Sequence, residues 1–493
     1  MLAIYWREVR DLLKSLRFII ALAIFLPGMA INGFVTGRAY QDLLQMHEQI
    51  ESQNGERLGR EAAHLQQLAI DFNEFLGSSG QEGQALVLSA PPPKVLPLVA
   101  GAELGGLLGV QWNFPNILEP DDLGIGNLEL PARPALDWEF LIRILLSFIA
   151  VILSYDLIVG ERERGTLALT LAYPVSRRRV LCAKFLAVLT LLGWLLAAGA
   201  ILSTLVYLMR GSGALGASDY ARIVLFCLGA LVYLGIFVAV SLLVSSRARS
   251  SVSSLTILLI FWITATVVIP QGAAAAVQGS VATLSDIQVE QKVLHQLDEQ
   301  INEMVGEMDA FVRSDIAEAR KDGFSSERKF AQRVNQMLAT IKVTLDEQQV
   351  SHRAQARVVQ NVIRLTPSGL FQLGSERLLG VGDTREQHFL KAIDRWSEAY
   401  TGFIREQEML DPDSPHIFYV QNYMSQRAVD AATVPRFSFK ELSLTESLKN
   451  AALDWMLLAL ELAVALILSF AAFARAPVSE TVGGLPLWRR PLR

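Results

Sequence analysis

Between Lys184 and Arg210 the chain runs for 25 residues, Phe185 to Met209, without one charged side chain. About 20 such residues in a helix cross the roughly 30 Å hydrocarbon layer of a bilayer, and a helix apolar on every side has no place on a water-exposed surface. This run commits the chain to a membrane. Phe18–Thr36 is also free of charge, with Pro27 as the expected kink, and so are Ile223–Val244 and Val252–Ile269, the latter expected to end at Pro270. Ala451–Ala474 is a further apolar run, holding Asp454 and Glu461.

Trp138–Val159 contains Glu139, Arg143 and Asp156, so a strict charge-free count misses it, although residues near a span's end snorkel to the interface. It is assigned as a span because of the connection that follows. Six Lys or Arg fall between Arg162 and Lys184. Short connections with such an excess stay on the cytoplasmic side. The N-terminal basic helix, the turn Ser245–Ser251 and the tail with Arg475, Arg489, Arg490 and Arg493 carry the same bias. Six spans place all four segments on one side; five do not.

The expected architecture is a mainly α membrane protein with six transmembrane helices, cytoplasmic N- and C-termini and two helical extracytoplasmic insertions. Residues 1–17 form an interfacial helix, with Leu2, Tyr5, Trp6, Val9, Leu12, Leu13 and Leu16 on one face and Arg7, Glu8, Arg10, Asp11, Lys14 and Arg17 on the other. The spans are 18–36, 138–159, 185–209, 223–244, 252–269 and 451–474. The insertions are 37–137 and 271–449, the cytoplasmic loop is 160–184 and the cytoplasmic tail is 475–493. In the first insertion Leu58, Leu65 and Phe72, with Leu68 and Phe75, keep heptad spacing up to Gly77-Ser-Ser-Gly80. That spacing fits core packing or an intermolecular coiled coil. In the second, Val334, Met337, Leu338 and Ile341, then Phe389, Ile393, Trp396, Tyr400 and Phe403, keep helical spacing.

Composition narrows the function classes. Hydrophobic residues make up 52% of the chain, yet 19% are charged and mean hydropathy is only +0.33, so much of it lies in water. A net charge of −5 without a long basic tract argues against nucleic acid as a partner. Two cysteines, Cys182 and Cys227, exclude a disulfide framework or a CxxC metal centre. No GxxxxGK[ST], HExxH or GxSxG occurs, so the chain has no nucleotide loop of its own and no catalytic signature. The six histidines are scattered over the insertions, and no metal site is expected.

The loop between the second and third spans carries most of the functional signal. Gly160 is expected to break the incoming helix, Glu161–Leu171 to form a brief amphipathic one, Pro174 to stop it and Ser176 to cap the next span. Glu161, Arg162, Glu163 and Arg164 alternate in sign, which suits a protein docking surface better than a lipid anchor. Arg177, Arg178 and Arg179 oppose the dipole at a helix N-terminus and require compensation from outside, by lipid phosphates or an acidic partner.

Glu-Arg-Glu-Arg-Gly-Thr-Leu at 161–167, with Tyr-Pro-Val-Ser-Arg at 173–177 and Lys184, resembles the first cytoplasmic loop of ABC-2 type permeases. The branch is similar to permeases linked to copper-enzyme maturation and gliding motility. Arg364–Gln372, Gly380–Thr384, Phe389 and Tyr400 resemble its extracytoplasmic insert, and the likeness extends to about Arg475. It implies a multi-pass subunit of the bacterial inner membrane that pairs with a second permease subunit, identical or related. It also implies that Glu161, Arg162, Glu163, Arg164, Gly165, Thr166 and Leu167 form a coupling helix in a groove of an ABC ATP-binding subunit. ATP and Mg would be bound by that partner. A mechanical relay to a periplasmic or outer-membrane protein, moving no substrate, remains open beside transport. Arg143 and Glu461, two ionisable groups inside apolar runs, are expected at similar depths and could pair, tying the second span to the sixth.

Overall fold

The computed structural model describes residues 2–69, 86–95, 98, 110–113, 117–119, 137–210, 215–273, 295, 316–418 and 423–476. Among them are six helices long and apolar enough to cross a membrane: Leu16–Glu61, Trp138–Glu163, Arg177–Met209, Ala217–Arg247, Ser251–Ala273 and Leu444–Ala474, called the first to sixth spans below, with the second counted only to Ser154, where a turn interrupts it. The chain is a multi-pass helical membrane protein. Phe72, Phe75, Gly77–Gly80 and the tail beyond Ala476 lie outside the described residues.

Helix Leu2–Leu13 precedes the first span, and Ser15 caps that span by accepting from the Phe18 N–H. The first span is continuous to Glu61, so the membrane helix and the expected soluble helix are one rod. It stops well before Gly77, at a turn over Ala62–His64, because the following residues pair elsewhere: Leu65 N–H donates to Arg427 O and Gln66 N–H to Ser425 O. Leu58, Leu65 and Leu68 are buried in one core with Phe389, Ile393, Tyr400 and Ile404. This burial accounts for the heptad spacing by core packing. It also brings residues of the two insertions into one core. A three-stranded antiparallel sheet, β1 (Leu86–Leu88), β2 (Val110–Asn113) and β3 (Ile117–Glu119), belongs to the first insertion, with Leu86 opposite Trp112 and Gln111 opposite Glu119.

The bundle core is centred on the third and fourth spans, whose Leu191, Leu192, Phe226, Tyr233 and Phe237 are fully enclosed. A buried polar chain crosses it, from Trp138 Nε1 to Ser203 Oγ at 2.8 Å and on to Asn32 Oδ1 at 2.9 Å, pinning the first three spans in register. Two spans depart from α geometry. Leu141–Leu146 in the second and Thr264–Val268 in the fifth are π-helical. The second of these explains why Pro270 does not end the fifth span: the wider turn before it accommodates a residue without an N–H, and the helix continues to Ala273.

Beyond the described gap, the long helix Ser325–Ile363 leads to a 13-residue helix, Pro367–Leu379, that departs from the sequence expectation. Thr366 caps it through the Gly369 N–H and Pro367 fills its first turn. Expected in the aqueous insertion, it instead buries Leu370, Phe371, Leu378 and Leu379 in the bundle core, with Phe371 stacked on Tyr233 at 4.9 Å. Ser368 Oγ donates to Ala265 O in the π segment of the fifth span at 2.6 Å. Thirteen residues are too few to cross a bilayer, so a hydropathy window passes over this wedge.

Candidate functional site

The loop between the second and third spans is two short helices rather than one. A turn over residues 155–158 precedes Val159–Glu163, and Thr166–Ala172 follows. Gly160, expected as the breaker, sits inside the first helix; the reorientation falls at Gly165, whose φ of +74° is left-handed and suits glycine. Ser176 occupies the N-cap position of the third span, as expected, without a side-chain bond.

The charges of 161–164 are all bonded within the molecule, Glu161 and Arg162 buried and Glu163 and Arg164 at its surface. Glu161 is 8% exposed; its Oε1 lies 3.0 Å from Lys184 Nζ and 3.1 Å from an Arg7 nitrogen. Lys184, only 1% exposed, also reaches Glu8 Oε1 at 2.9 Å, and Arg7 reaches the same oxygen at 3.1 Å. Two carboxylates and two cations thus close a neutral ring joining the N-terminal helix, the loop and the third span. Burial pushes the Glu8 carboxyl up, but the charge and hydrogen bond of Lys184, with Arg7, outweigh it and hold Glu8 below its ordinary value. The ring explains why Glu8, on the expected polar face of helix Leu2–Leu13, turns inward beside Val9 while Leu2 and Trp6 stay exposed.

The remaining charges cap helix ends. Arg162 is buried and donates to Ser246 O and Ala248 O at the C-terminus of the fourth span. Glu163 accepts from the Ser251 N–H at 2.7 Å and from its hydroxyl, at the N-terminus of the fifth. Arg164 folds back to Gly160 O. Each sign meets the pole it stabilises. Arg17 forks onto Asp156 at 3.1 Å, Ser245 Oγ accepts from the N–H groups of Ile158 and Val159, and Ser254 Oγ donates to Tyr155 O.

Of the three expected basic residues, Arg177 is also internal, donating to Phe473 O, Ala474 O and Ala476 O at 2.8 to 3.2 Å. The compensation its position required comes from the last turn of the sixth span. Arg178 and Arg179 are exposed. On helix Thr166–Ala172, Leu167 is buried in the bundle core, whereas Leu169 is 68% and the adjoining Tyr173 72% exposed. The loop is therefore bonded to the first, third, fourth and fifth spans, as well as to the second, which leads into it, and Arg177 at the start of the third span carries the link to the sixth.

Arg143 and Glu461 are not brought together. Arg143 Nε lies 3.3 Å from Glu139 Oε1, one turn back on its own helix, and Glu461 Oε2 is buried without a hydrogen-bond partner. A carboxylate four residues away was closer than one on another span. The acid that ties the sixth span to the domain is Asp454, 0% exposed, with Arg364 Nε at 2.7 Å and Arg377 on its other oxygen. Arg364 also holds Asn361, and Arg377 holds Gln360. Beside this node the Trp455 indole packs so tightly on Gly374 that any Cβ there would collide with it. The sequence signal available was an aspartate inside an apolar run. No group of His, Cys, Asp and Glu suited to a metal occurs among the described residues.

The model of the family described as ABC-2 family transporter protein matches residues 2–478. This chain belongs to that family. A 137-residue stretch, 26% of the chain, is 39% identical to a Pseudomonas aeruginosa protein named "Probable ABC transporter permease protein NosY" and covers 47% of it. Over 63 residues, 12% of the chain, it is 48% identical to the Stutzerimonas stutzeri protein of that name, covering 23% of it. The chain thus spans less than half the length of these curated relatives.

Proposed function

We propose that the chain is the permease subunit of an ABC-2 transporter in a bacterial inner membrane, with both termini cytoplasmic, driven by a separate ATP-binding subunit that docks at residues 155–176. The observation carrying this reading is that the loop is hydrogen-bonded or ion-paired to the first, third, fourth and fifth spans, and the third carries the link on to the sixth through Arg177. A push on it is passed to the whole bundle, as a subunit that borrows its energy requires. A second copy or a related permease completes the complex, and ATP and Mg stay with the partner. Lipid phosphates are the natural company of exposed Leu2, Trp6 and the basic residues beside them.

The test is to purify the complex with its ATP-binding subunit in lipid and measure coupled hydrolysis for Lys184→Met and Arg162→Gln. Both variants should retain the partner and lose stimulation of hydrolysis by substrate. Wild-type stimulation in both would remove the loop from the coupling path. Orientation is tested by labelling cysteines at the exposed positions Arg249 and Ser325 in sealed cells. Ser325 should react from outside and Arg249 should not; the reverse pattern overturns the assigned sides.

A second reading, a mechanical relay, draws support from the Asp454 node. It ties the sixth span to the wedge and to the end of the long helix Ser325–Ile363, so motion could leave the membrane through the domain. ATP hydrolysis stimulated by a periplasmic protein and by no small solute would favour it.

A further inference from the structure

The docking reading leaves open which atoms meet the ATP-binding subunit, and the charged motif is poorly placed to do so. Glu161 and Arg162 are buried and paired inside the chain, while Glu163 is committed to Ser251 and Arg164 to Gly160. Glu163 and Arg164 are exposed but have their charges bonded within the chain, and what the loop presents outward beyond Thr166 is largely apolar. On helix Thr166–Ala172 and the turn after it, Ala168, Leu169, Ala172, Tyr173 and Pro174 are exposed, while Leu167 faces the core and Leu171 packs partly against it. Positions 169 and 172 share one helical face, opposite buried Leu167 and part-buried Leu171, and exposed Tyr173 follows directly at the helix end. Next to this face, Arg178 and Arg179 stand exposed at the N-terminus of the third span, where the dipole repels them. Their neighbour Arg177 has found carbonyls at the end of the sixth span; these two have no described partner.

We infer that Leu169 and Tyr173 are the anchors that enter the ATP-binding subunit, and that this partner offers an apolar pocket with acidic side chains on the rim facing Arg178 and Arg179. The inference rests on the reading that an ATP-binding subunit docks at this loop, and it reassigns the contact from Glu161–Arg164 to the turn beyond Gly165. Two anchors of this kind in a desolvated pocket are what carries most of the energy of a protein interface, and flanking charges set orientation and rate of encounter. A membrane-surface role suits this turn less well: the loop behind it is fixed by bonds to four other spans, a rigidity that floating on headgroups does not call for. The motif then holds the loop in place, and the apolar turn receives the push.

The experiment places p-benzoylphenylalanine at Leu169, Tyr173 or Arg164 of the full-length chain in native membranes, with the adducts identified by mass spectrometry. Crosslinks from 169 and 173 to a P-loop ATPase, with little from 164, are expected. In the same membranes the pair Leu169→Asp and Tyr173→Asp should reduce co-purification of that ATPase by about ten-fold or more. Arg178→Glu with Arg179→Glu should reduce it less and remove most of its salt dependence. Adducts from 169 and 173 to lipid, or to a second copy of this chain, overturn the inference, as do adducts from 164 alone. Should the aspartate pair fail to accumulate, the crosslinks decide by themselves, since an aromatic probe at Tyr173 preserves size and exposure. If the unmodified chain retains no P-loop subunit under any condition, the docking reading itself has failed, a result distinct from a P-loop subunit bound elsewhere.

Discussion

Glu161 at the loop end of the bundle and Asp454 at the domain end are each held by two cations, yet the two sites are built differently. Glu161 shares Arg7 and Lys184 with a second carboxylate, Glu8, so the ring is neutral, and Arg7 remains half exposed. Asp454 faces Arg364 and Arg377 alone and has no contact with solvent. A neutral, partly wetted ring between three helices tolerates small displacements, because each ion keeps a second partner. A single buried anion between two arginines does not. The loop end is suited to being moved and the domain end to holding its geometry.

Removing the central anion should separate the two sites most clearly. Asp454→Ala leaves two largely buried arginines facing each other without their shared anion and should cost about 3–5 kcal/mol, seen as a fall in thermal midpoint in detergent or as loss of folded protein. Asp454→Asn keeps the volume and some hydrogen bonds and should cost less. An Asp454→Ala protein as stable as Glu161→Ala would show that the domain end is no more rigid than the loop end.

Lys184→Met comes next. It leaves Glu8 and Glu161 sharing Arg7 and should cost about 3 kcal/mol, the lower end for a broken buried pair, because water reaches Arg7. Adding Glu8→Gln should recover part of the loss. A double variant no better than the single would mean that the ring does not act as a unit. Gly165→Ala should cost about 1 kcal/mol, from the left-handed φ alone, since space around the residue is open. A larger loss of coupled activity than of stability would place the glycine in contact with the partner.

The contrast also bears on what could be read from the sequence. The spans and the loop were legible because their signals are local: charge-free runs, basic flanks and a motif contiguous over 161–167. The direction the motif faces was not, since alternating charges look the same whether they meet a partner or the ends of neighbouring helices. The ring was hidden because Glu8 and Lys184 are 176 positions apart. Asp454 lies 90 positions from Arg364 and 77 from Arg377, whereas Arg143 had its carboxylate one turn away on the same helix. The wedge helix was missed because it reaches the apolar core without crossing it.

The smallest predicted effect is one of pH, and it tests whether the loop end is held by charge. Glu8 is kept below its ordinary value in the folded chain, because Lys184 and Arg7 more than offset the burial that would raise it. A carboxyl lowered on folding stabilises the fold above its unfolded pKa, about 4.3 for glutamate, and that contribution disappears as pH falls through the folded value. Helix Leu2–Leu13 should therefore loosen from Lys184 as pH falls below about 4, with no change between pH 6 and 8, where Glu8 is ionised in both states. A spin label or fluorophore at the exposed position Trp6 would report the release as increased mobility at acid pH. Glu8→Gln should show the mobile state at every pH, and the domain core should be unaffected in the same window. A helix equally immobile at pH 3.5 and pH 7, in wild type and Glu8→Gln alike, would show that Val9 and Tyr5, the latter bonded to Thr190 at 3.1 Å, hold it by packing and a neutral hydrogen bond. The two ends of the bundle would then differ in polarity but not in freedom to move.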